Sequence, residues 1–239
     1  MDGHSDFKVI TPVTTIASFF TDKLIINNAL GIDSSIDIFS TDPVFYKDDN
    51  GIYEYLYEKG NQLTVIAFAL TNFINYFSET ATEFDPLRET TKNAFELIAN
   101  EVESTFSETT LKIDIESKIF IDALLARAEI FTASNAIDES ILQNASILLS
   151  GLLPVVELKE FSFLTDATLT FALETFQTDF LNVLDNSILD DVVNSYETDI
   201  LNYIAEDQGV DPDLLAPEIT AINNSIVVDE DNAIQVDVL

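Results

Sequence analysis

Two textures divide the chain. From about residue 8 to residue 207 the apolar positions recur at three- and four-residue intervals, as on one face of a helix. Thr11 and Pro12 form a cap and first position, and Ile16, Phe19, Phe20, Leu24, Ala29 and Leu30 supply an apolar face that Gly31 ends. Residues 32–43 read as a short helical turn and a loop closed by Pro43. Gly51 to Phe77 is apolar densely enough to be a central helix, with Gly60–Asn61 as a point where it can bend. Asp85 and Pro86 open the next helix, whose stripe is Leu87, Ala94, Phe95, Leu97, Ile98, Val102 and Phe106. Another is predicted over about 114–133, with Ile115, Ile119, Leu124, Ala128 and Phe131 as its apolar positions. Asp138 caps a helix expected to stop at Gly151, ahead of Pro154. Residues 155–163 read as a loop, and two further helices are predicted over about 166–185 and 187–206. The fold class is therefore all-α, a bundle of about seven or eight helices. No repeat of constant period is present to suggest a solenoid.

The second texture begins after Asp207. Residues 208–220 hold Gly209, Pro212 and Pro217 among acids, which is linker chemistry. Beyond them Ile226 and Val228, then Ile234, Val236 and Val238, alternate with polar residues around an acidic turn, as in two β-strands. Two strands alone are marginal and need a sheet to join. The expected organisation is residues 1–10 as the end of an upstream module or a disordered start, 11–207 as the helical domain, 208–220 as a linker, and 221–239 as an incomplete β-strand tail.

Charge sharpens this reading. The chain carries 43 acids against 10 bases, a net charge of −33, and after Lys159 no base occurs at all. Such a field repels nucleic-acid phosphates and anionic membrane surfaces, so neither is an expected partner. It suits surroundings in which salt or calcium screens it, as for a marine or halotolerant protein. With 18 Phe and 7 Tyr interleaved among the acids, the chain should nonetheless fold. There is no cysteine, which removes disulfides, thiolate metal sites and thiol catalysis. The start, MDGHSDFKVI, has neither the basic nor the apolar region of a signal peptide, and the longest apolar stretch, residues 63–77, is too short to span a membrane.

Candidate chemistry is sparse. His4 is the only histidine, so a histidine-based triad or multi-histidine metal site is out of reach within one chain. Asp48 and Asn50 suggest the start of a calcium loop, but Lys59 stands where its last acid belongs. Asp2, His4 and Asp6 alternate near the start, where a frayed terminus is the simpler reading. Tyr53, Tyr55 and Tyr57 could build an aromatic platform; helical spacing instead puts Tyr53 and Tyr57 on one core face, with Tyr55 pointing away. Glu230 and Asp231, adjacent on the acidic turn, are the best metal ligands: together they could supply part of a calcium shell, and a solvated β-turn is the competing reading.

The tail resembles the opening of the tandem cadherin-like repeats of giant bacterial surface adhesins. There a proline-containing linker leads to a Val–x–Glu–Asp turn and a second strand ending in Val–Leu. The matching residues are Pro217, Val228, Glu230, Asp231, Ile234, Val236, Val238 and Leu239. The stretch from Val9 to Phe20 is similar to the Thr-Pro-Leu-Thr-Thr helix start that follows small β-modules in secreted proteins, with Val13 in the leucine position. The resemblance implies an internal helical segment of a secreted or cell-surface protein, with calcium bound in the intact parent and only weakly in this piece. Its expected partners are neighbouring domains of a longer polypeptide and an undefined cell-surface or carbohydrate ligand. On this reading the chain is not an enzyme. The rival classes are a secreted carboxylate-based hydrolase or lyase and a self-contained cytoplasmic protein of a halophile.

Overall fold

The computed structural model describes residues 9–22, 24–43, 51–78, 86–109, 112–132, 137–156 and 166–185, together with Asp191 and Asn202. Among these residues the chain is all-α, with seven helices and no strand. They are α1 (Pro12–Ala17), α2 (Leu24–Leu30), α3 (Gly51–Phe77), α4 (Pro86–Thr109), α5 (Lys118–Thr132), α6 (Glu139–Val156) and α7 (Asp166–Leu184). The predicted helix over 187–206, the linker and the strand tail lie outside the described residues.

α3 is the axis of the bundle because apolar residues cover most of its circumference. Leu63, Val65, Ile66, Ala67, Ala69, Leu70, Phe73 and Ile74 are all buried, and only the line through Asn61, Thr64, Phe68, Asn72 and Asn75 is partly exposed. Five helices, α1, α4, α5, α6 and α7, pack around it. Its interior threonines are satisfied within the helix: Thr64 donates to the Gly60 carbonyl at 2.9 Å and Thr71 to that of Ala67 at 2.7 Å. The helix continues unbroken through Gly60. Tilted and edge-on ring contacts, Phe73–Phe77 at 5.0 Å and Tyr76–Phe77 at 4.9 Å, fill its C-terminal end.

Helix boundaries show local chemistry at work. At α1 the Thr14 N–H donates to the Thr11 hydroxyl at 3.1 Å, and the Thr11 N–H donates to the Thr14 hydroxyl at 2.7 Å. That is a reciprocal capping box, with Thr14 in the usual Glu or Gln role. The single helix expected over 12–30 is divided instead. After Ala17 the N–H groups of Phe19 and Phe20 reach carbonyls only three residues back, and the Ser18 hydroxyl takes the Thr15 carbonyl at 2.6 Å. The later end of that segment is as predicted. Gly31, at φ 69°, closes α2 with bonds from Gly31 N–H to Asn28 O (3.3 Å) and from Ile32 N–H to Asn27 O (2.8 Å), a Schellman pair.

Residues 32–43 keep the expected short helical turn, with Thr41 N–H reaching Asp37 O at 3.0 Å, whereas the start of α5 and the end of α6 differ from expectation. Residues 32–43 hold two aspartate-led turns, Asp33 accepting from Ser35 N–H (2.8 Å) and Asp37 from Phe39 N–H (3.1 Å), which aim Ile32, Ile36 and Ile38 inward. α5 begins at Lys118, not near 114, because Asp114 folds its own turn and Ser117 serves as the cap residue. α6 runs past Gly151 and Pro154 to Val156. Proline leaves the Ser150 carbonyl without its helical donor, while one turn away the Leu153 carbonyl is taken by Gln62 of α3 at 3.2 Å. Packing against the central helix thus carries α6 beyond its local stop signals.

Candidate functional site

Glu230 and Asp231 lie outside the described residues, as do Asp48 and Asn50 and the Asp2–His4–Asp6 trio. The tyrosine group is described. Tyr57 is buried and Tyr53 packs against the core. Tyr55 does not point away into solvent as expected. It is half-buried, and its hydroxyl donates to the Leu30 carbonyl at the end of α2 at 2.6 Å.

Tyr55 marks one side of the most developed polar cluster among the described residues. The α4–α5 connection crosses here, pinned by Ile113 N–H donating to Ala29 O at 2.7 Å. Two ammonium groups flank the Tyr55 ring, Lys112 at 4.7 Å and Lys59 at 5.3 Å from its centroid. Lys59 projects from α3 and is only 6% exposed. It donates to Gln62 Oε1 at 2.8 Å and to Glu116 Oε1 at 2.9 Å. Gln62 in turn donates to the Leu153 carbonyl of α6, so one ammonium links three parts of the bundle.

Two smaller clusters repeat the pattern on the sides of α5. Toward α4, the Arg127 guanidinium donates to the buried Glu101 carboxylate, whose other oxygen accepts from Thr105 at 2.9 Å. Toward α6, Asp122 accepts from the buried Ser146 hydroxyl and from Lys118 at 2.9 Å. At the far end of α3, the Tyr76 hydroxyl donates to Asp185 Oδ1 at 2.8 Å.

Titration behaviour follows from these local bonds. Hydrogen bonding to Asp185 pushes the Tyr76 phenol above its ordinary value. The carboxyls of Asp33 and Asp138 lie below theirs because each accepts from a serine two residues on, Ser35 and Ser140. All three groups are at the surface; Asp33 leads a turn and Asp138 caps α6. Among the described residues no three His, Cys, Asp or Glu side chains converge as a metal site, and no helix is long and apolar enough to cross a membrane.

The sequence does not single out Lys59–Glu116, because the partners are separated by 57 positions. The available signal was a lysine one turn ahead of the most apolar run of the chain, a place where a charge must find a partner. Comparison with protein-family models, curated proteins and solved structures finds no match for this chain.

Proposed function

We propose that the chain is a non-enzymatic helical module of a secreted or cell-surface adhesin-like protein. It would act as a folded spacer or ligand-presenting head joined to calcium-binding β-repeats. The observation that supports this most is where the scarce bases go. In a chain with only 10 of them, Lys59, Arg127 and Lys118 join carboxylates within or across helix seams, and Lys112 covers the Tyr55 ring. These charges brace the bundle, as suits a module whose task is to hold shape.

The test compares thermal unfolding of this chain with that of the chain prolonged by the sequence following Leu239 in its gene. The reading expects calcium and magnesium at equal ionic strength to shift the melt of residues 1–239 alike. A calcium-specific rise should appear only in the prolonged protein, where Glu230 and Asp231 can complete a shell. A stop codon directly after Leu239 overturns the reading. So does hydrolysis of a glycoside by this chain that is lost when a carboxylate is replaced.

A further inference from the structure

We draw no further inference here: the strongest candidate, the outward apolar face of α5 where Ile119 and Ile130 are 83% and 80% exposed, carries none, since nothing in the structure shows what covers it.

Discussion

Lys59 concentrates the energetics of the bundle in one side chain. A buried ammonium is tolerable only with acceptors in place, and Gln62 and Glu116 provide them at 2.8 and 2.9 Å. Glu116 keeps 19% of its side-chain surface in water, so removing it lets solvent relieve part of the loss. Glu116→Leu should therefore cost about 2–3 kcal/mol, at or below the range for breaking a buried pair. Lys59→Met should cost less, since Glu116 can turn to solvent. The double variant should recover most of the Glu116→Leu loss, because two apolar partners leave no charge stranded. Urea unfolding of the four proteins reads this directly, and strictly additive losses would show that the pair is not coupled.

At the level of elements, α2 depends on its closing glycine. Gly31 sits at φ 69°, and a Cβ there would come within 2.6 Å of Lys112 Cδ. Gly31→Ala should destabilise by about 1–3 kcal/mol, from left-handed strain plus displacement of the lysine that covers Tyr55. Truncation of that lysine in the same background, Gly31→Ala/Lys112→Ala, should be less than additive in denaturant melts, because only the strain term remains. Such positions also explain what could be read in advance. Gly31, Thr11–Pro12, Pro86 and Asp138 act within one turn, so their stops and starts are written locally, and the apolar density of α3 announces a central helix. The division after Ala17, the late start of α5 and the passage of α6 through Pro154 depend on competing serine and aspartate bonds or on a donor from another helix. The cross-helix pairs Lys59–Glu116 and Arg127–Glu101 are tertiary events with no spacing rule to reveal them. The exposure of Ile119 and Ile130 on α5 was not legible for a related reason: helical period identifies an apolar line without saying which side of the helix the bundle covers.

On the scale of the whole molecule, charge opposes the fold that these braces support. With 43 acids against 10 bases, the folded chain gathers a net charge of −33 into a smaller volume than the unfolded one does. Raising sodium chloride from about 0.1 M to about 1 M shortens the Debye length from about 10 Å to about 3 Å, which screens most of this repulsion. The same salt weakens Lys118–Asp122, an exposed pair whose contribution is under about 1 kcal/mol. It scarcely reaches Lys59–Glu116, which the helices shield from solvent. Repulsion among many surplus acids therefore outweighs the loss of one surface bridge, and the melting temperature should rise with salt. At this chain length each 1 kcal/mol gained corresponds to roughly 2–4 °C. The melt should be followed by circular dichroism at low protein concentration. Chloride salts of sodium and potassium should act alike, since the effect counts charges and needs no site. A melt that falls with salt would mean that ion pairs, not burial around α3, dominate the stability of the bundle.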